Sequence, residues 1–79
     1  MRKERFIEEL LQDNYAGYDY EQTELIYDYL NENDIIDSYI SDCEVDIIAI
    51  RCEFDIVKIS DALGDDLEIL ASSENYHLI

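Results

Sequence analysis

The residue types in this chain that can do chemistry are one histidine, two cysteines and 21 carboxylates among 79 positions. His77 belongs to no Cys-His or Ser-His arrangement with local support, and it reads as a strand-surface residue without a catalytic role. Cys43 and Cys52 make no recognisable disulfide framework and read as reduced, structural thiols. Gly17 and Gly64 stand too far apart to build a phosphate-cradling loop. Hard cations such as Ca²⁺ or Mg²⁺ would need oxygens gathered in one loop. Asp61, Asp65, Asp66 and Glu68 form one such group, and Asp13, Asn14, Asp19 and Glu21 another. Neither repeats the alternating ligand spacing and mid-loop glycine of a calcium loop, so no metal or other cofactor is expected. Paired carboxylates can serve as acid and base only in a cleft that separates their environments, and a chain this short has little room for one. The expectation is a protein that is not an enzyme.

The carboxylates are better read as an array. Glu21, Glu24, Asp28 and Glu32 are spaced by three, four and four residues, which stacks them on one face of a helix. Like charges so placed destabilise the helix by a few tenths of a kcal/mol each. Stability alone would favour interspersed lysines, so the stripe points outward to a partner. It runs for about 16 Å, with one charge every ~5 Å. That is sparser than the phosphates of a DNA strand, at roughly one per 3.4 Å. A phosphate-like array therefore needs further acids, and Asp34, Asp37, Asp42, Glu44 and Asp46 continue the series with no cation before Arg51. Tyr15, Tyr18 and Tyr20, between the first two apolar segments, read equally as aromatic anchors for a partner or as cover for a thin core.

The elements that must position this array follow from periodicity. Phe6, Ile7, Leu10 and Leu11 make one apolar stripe of a first helix, and residues 14–21 form the connection. A second helix runs from about Asp19, suited to cap it, to Asn33, with Leu25, Ile26, Tyr29 and Leu30 inward. Ile35, Ile36, Tyr39 and Ile40 predict a short further helical turn. Residues 44–54, EVDIIAIRCEF, are β-branched and apolar on both parities, which predicts a central strand. Residues 55–63 read either as a loop or as a short helix ended by Gly64. Two short strands over about 67–72 and 75–79 join at a turn near Ser73 and Glu74. The predicted architecture is α+β, one domain over residues 1–79 in the order ααβ(α)ββ. Two N-terminal helices would pack on a small, mostly antiparallel three-stranded sheet.

Charge narrows the partners. The formal net charge is −16, and beyond Phe6 only Arg51 and Lys58 oppose the acids. With 48% hydrophobic residues, including twelve Ile and seven Tyr, the chain is too apolar to be a disordered acidic tail. About one net charge per five residues exceeds the roughly 2 to 8 units that solubility asks of a small domain. Direct binding to nucleic acid or to anionic membranes is disfavoured, whereas basic protein surfaces would be met quickly and salt-sensitively. No apolar run approaches the ~20 residues that span a bilayer, and the expected location is cytoplasmic. A thin core and an exposed sheet edge leave a homodimer open.

The stretch from Glu24 to Phe54, LIYDYLNE on the helix and then VDIIAIRCEF, resembles a group of small acidic proteins encoded by phages and other mobile elements. The whole profile of length, acidity and α+β order is similar to the DNA-mimic anti-defence proteins, of the anti-CRISPR and antirestriction kinds. The resemblance implies inhibition by occupancy in a bacterial host. An acidic face would sit in the basic groove where a Cas effector or restriction complex holds DNA, including its PAM-reading contacts, and would block target binding. The alternative is an acidic protein–protein interaction module that inhibits or scaffolds a partner away from any nucleic-acid site.

Overall fold

The computed structural model describes residues 2–13, 17–42, 44–61 and 68–79. Helix α1 spans Lys3–Leu11 and buries Phe6, Ile7 and Leu10. Leu11, expected on the same stripe, is turned outward and 41% exposed. Gly17 follows in the left-handed region, at φ +63°, where a side chain would be strained.

Helix α2 spans Tyr20–Glu32 and begins with a reciprocal capping box. The Gln22 backbone N–H donates to Asp19 Oδ1 at 2.8 Å, and the Asp19 N–H donates to Gln22 Oε1 at 2.9 Å. Two of the donors that a helix start leaves without partners are thus satisfied. Leu25, Ile26 and Leu30 are buried, and so is Thr23, whose hydroxyl donates to the Tyr20 carbonyl at 2.8 Å. At the other end Asp34 is left-handed, at φ +57°. The Ile35 N–H reaches the Leu30 carbonyl at 3.0 Å and the Asp34 N–H reaches that of Asn31 at 3.2 Å. That pairing is a Schellman cap, with aspartate where glycine is usual.

A 3₁₀ turn over Ile36–Tyr39 leads into an antiparallel pair of two-residue strands, β1 (Ile40–Ser41) and β2 (Glu44–Val45). Helix α3 (Ile47–Glu53) comes next, then β3 (Ile56–Lys58), a 3₁₀ turn (Ile59–Asp61), β4 (Ala71–Ser72) and β5 (Tyr76–Leu78). The last three strands form one antiparallel sheet in the order β3-β5-β4, with Ile56 and Ala71 both opposite Leu78. Strand alternation turns Leu78 and Tyr76 toward the core, where Ile56 and Ala71 also pack, and His77 to the other face.

The core gathers Phe6 and Leu10 of α1, Leu25, Ile26 and Leu30 of α2, and Tyr39, Val45, Ile50, Phe54 and Leu78. Phe54 meets Tyr29 edge-on at 5.7 Å and Tyr39 at 5.8 Å between ring centres, so it seals the end of the core between α2 and the 3₁₀ turn.

This architecture overturns the predicted two helices on a single three-stranded sheet. Among the described residues there are three helices and two sheets, one of two strands and one of three. The predicted central strand over 44–54 forms only β2 and then turns helical. Its apolar run is not buried on both faces: Val45, Ile50 and Phe54 are buried, whereas Ile48 is 66% exposed. Ile50 and Phe54 stand four apart, as on a helix, and the Asp46 side chain caps α3 by accepting the Ala49 N–H at 3.2 Å. A local cap and one helical pair outweigh the β preference of three isoleucines. Residues 56–58, read as loop or helix, are the edge strand β3. The proposed helix stop at Gly64 lies outside the described residues.

Candidate functional site

The four acids of the α2 stripe converge on a groove of about 450 Å³ between α2 and the β4 end of the larger sheet. Glu21, Glu24, Asp28 and Glu32 form one wall, Ala71–Glu74 the other, and Leu25 and Tyr29 contribute apolar surface between them. Glu74 brings a fifth carboxylate that the stripe did not include.

These carboxylates are not equivalent. Glu21 accepts the Ser73 hydroxyl at 2.5 Å and both the backbone N–H and the side-chain amide of Asn75 at 2.8 Å. The hydrogen bonds from Ser73, then those from Asn75, hold its pKa below the usual carboxylate value. Glu21 is therefore a tether between α2 and the β4–β5 turn, with little capacity left for a partner. Glu24 and Asp28 lie 3.5 and 3.4 Å from Lys3 Nζ on α1. The ammonium also stands 5.7 Å from the Tyr27 ring centre. Desolvation acts to lower the Lys3 pKa, but Asp28 and Glu24 outweigh it and the net shift is upward. The middle of the stripe, uncompensated in the sequence, shares a cation from another helix. Glu32 is exposed and makes none of the hydrogen bonds or ion pairs found among the described residues.

The remaining predicted acids do not extend the groove wall. Asp34 is the left-handed cap of α2, and Asp42 is left-handed too, at φ +51°, in the connection after β1. Asp37 and Glu44 are exposed on the first 3₁₀ turn and on β2. Asp46 caps α3. All five are exposed, and they lie on different elements and turns between the end of α2 and the start of α3. Of the predicted aromatic anchors, Tyr20 is 59% exposed at the start of α2. Tyr18 is half-buried against the core, and its burial is the main reason its pKa is raised. Tyr15 lies outside the described residues.

Sequence reasoning missed three features here. The role of Lys3 depends on how α1 meets α2, which no local pattern encodes. Ile48 hid inside the expected strand, although Asp46 at a helix start was a readable signal, as Asp19 was. Third, the β4–β5 pairing places Ser72 opposite His77, with Oγ and Nδ1 hydrogen-bonded at 2.6 Å. That corrects the reading of His77 as having no serine partner. On its other side His77 faces Val57, which supplies no carboxylate to orient the ring.

Among the described residues, no group of three or more His, Cys, Asp or Glu is placed to hold a metal ion. Asp65 and Asp66, half of one suggested loop cluster, lie outside the described residues, as does Cys43. Cys52 is a free, exposed thiol, not the structural one expected from burial. No helix among the described residues is long and apolar enough to cross a membrane. Compared with protein-family models, with curated proteins and with solved structures, the chain matches none.

Proposed function

We propose that this chain is a nucleic-acid mimic. Its acidic surface would occupy the basic DNA-binding groove of a defence complex, such as a Cas effector or a restriction enzyme, in the bacterial cytoplasm, and keep target DNA out. The observation that carries the reading is the acidic α2–β4 groove, where Glu24, Asp28, Glu32 and Glu74 gather beside the Glu21 tether in a chain whose net charge is −16. Basic channels built for phosphates accept carboxylates by charge-assisted hydrogen bonds to Lys and Arg. The acids on the turns between Asp34 and Asp46 would widen the footprint beyond one helix. The identity of the partner as a defence complex comes from the resemblance alone, and the strand half of that resemblance folds as α3.

The test is competition. Against candidate Cas effectors and restriction complexes, the chain should bind with nanomolar affinity, displace labelled DNA, and weaken steeply as salt rises. Simultaneous binding of chain and DNA at unchanged affinities would overturn mimicry.

The exposure of Tyr20 and Ile48 favours one second reading, an interaction module that grips a partner away from its nucleic-acid site. The combined neutral variant Glu24→Gln, Asp28→Asn and Glu32→Gln separates the two without stranding Lys3 beside new cations. Mimicry requires this variant to lose binding. The module reading requires binding to survive it and to fail with Tyr20→Ala.

A further inference from the structure

A second groove lies between β2 and α3, about 390 Å³ in volume and lined by Asp13, Val45, Asp46, Ile47, Ile48 and Arg51. Its composition differs from that of the α2 groove. The floor is aliphatic, and Ile48, 66% exposed, is the most exposed large hydrophobic residue among those described. Of its two carboxylates Asp46 is exposed, whereas the Asp13 side chain is only 10% exposed. Asp46 accepts the Ala49 N–H through Oδ1 alone. The one cation of the groove, Arg51, is already 3.5 Å from Asp13.

We propose that this groove takes a lysine or arginine side chain of the basic partner, its aliphatic stem lying on Val45, Ile47 and Ile48 and its charged head reaching Asp46. The inference rests on the reading of the chain as a ligand for basic surfaces, and it adds an anchoring point on α3 beside the acidic field of α2.

The choice of occupant follows from complementarity. A wholly apolar segment would cover Ile48 but strip water from Asp46 and give it nothing in return. Phosphate or an acidic segment would meet like charge. Lys and Arg alone combine a stem that covers apolar surface with a head that stays charged at the rim. Contact centres in protein interfaces have this form, an apolar anchor ringed by polar groups that exclude water. In the α2 groove Glu21 holds the β4–β5 turn and Lys3 already serves Glu24 and Asp28, so those acids supply the wider negative field and the α3 groove seats the single side chain.

The test uses the full chain, isotopically labelled, titrated with a hexa-arginine peptide and, as the uncharged isostere, a hexa-citrulline peptide. Hexa-arginine is expected to shift the Val45 and Ile48 methyl resonances and the Ala49 amide, and hexa-citrulline to leave them unchanged. Ile48→Asp then decides the mode. It adds a negative charge, so purely Coulombic attraction would tighten binding, whereas loss of the stem contact should weaken it about tenfold at Val45 and Ala49. Ile48→Ser, which adds no charge, should weaken it similarly, and both changes sit at an exposed position that the core does not need. Tighter binding by Ile48→Asp, or equal shifts with hexa-citrulline, would overturn the proposal. Shifts confined to α2 and Glu74 would overturn it too while leaving the acidic-ligand reading intact. No shift anywhere in the chain would remove both.

Discussion

The ammonium of Lys3 lies 3.4 Å from the Asp28 carboxylate, and the pair joins two helices that the sequence separates by the whole first connection. Glu24 shares the same ammonium at 3.5 Å. The stripe thus carries an internal counter-ion at its middle, where a partner's cation would otherwise sit. Exposed ion pairs contribute about 0 to 1 kcal/mol, and both partners here are more than a third exposed, so the lower end of that range applies. Lys3→Gln should therefore leave stability nearly unchanged in urea denaturation. It should also tighten binding of hexa-arginine at low salt, an advantage that disappears near about 0.5 M salt, where screening is short-ranged. Unchanged low-salt affinity would mean that Glu24 and Asp28 take no part in docking.

Asp34 holds a left-handed conformation, at φ +57°, that aspartate adopts at a cost and glycine freely. It also places a negative charge at the negative end of the α2 dipole. Asp34→Gly should stabilise the chain by about 1 kcal/mol, which for a domain this small raises the melting temperature by roughly 4 to 8 °C. Asp34→Asn separates the two causes, since it removes the charge and keeps a side chain that tolerates the conformation. A melting temperature lowered by Asp34→Gly would show that the carboxylate has a partner role within the fold.

Helix α2 was legible because its signals are local: Asp19 as cap and Leu25, Ile26 and Leu30 at helical spacing. Helix α1 was legible for the same reason, except that Leu11 faces solvent. The hairpin β4–β5 was foreseen near its place, as shorter strands than expected. Helix α3 was misread because isoleucines at 47, 48 and 50 satisfy strand and helix patterns alike, and the deciding feature is one side-chain cap at Asp46. The site was legible only as a list of acids. The carboxylates of Asp19, Glu21 and Asp46 each have a capping or tethering task, and those tasks depend on backbone geometry and on contacts across more than fifty residues, as from Glu21 to Asn75. A count of carboxylates overstates the number free to meet a partner.

Glu21 illustrates how such a task can be measured. Its hydrogen bonds from Ser73 and Asn75 favour the ionised form, so its pKa is lower folded than unfolded. The stabilisation is therefore complete above the unfolded carboxylate range and is lost as pH falls through the folded value. Wild type should be more stable than Glu21→Gln at neutral pH, and the gap should close on acidification below about pH 4.5. Amide exchange at Asn75, whose N–H donates to Glu21, should quicken in the variant at neutral pH while the core amide of Leu30 stays protected. Equal exchange at Asn75 in both proteins would show that the tether does not hold the turn.

Tyr39 gives the opposite sign. Its hydroxyl donates to Glu53 Oε2 at 2.5 Å, joining the first 3₁₀ turn to the end of α3. That bond first, then burial and the Glu53 charge, pushes the phenol from 10.0 up to about 12. A folded pKa above the unfolded one means that the folded state holds its proton longer. The contribution is thus complete below pH 10 and lost as pH rises toward about 12. Tyr39→Phe should cost about 1 kcal/mol at pH 7, since Glu53 is exposed and water replaces the lost donor. In parallel urea titrations the difference between wild type and Tyr39→Phe should hold steady up to about pH 10 and then narrow. Tyrosinate absorbance should show the same group as a late step of the wild-type titration, reduced by one tyrosine in the variant. A gap that widens above pH 10 would mean that ionised Tyr39 is the form the fold prefers, and the Glu53 contact could not then be its partner.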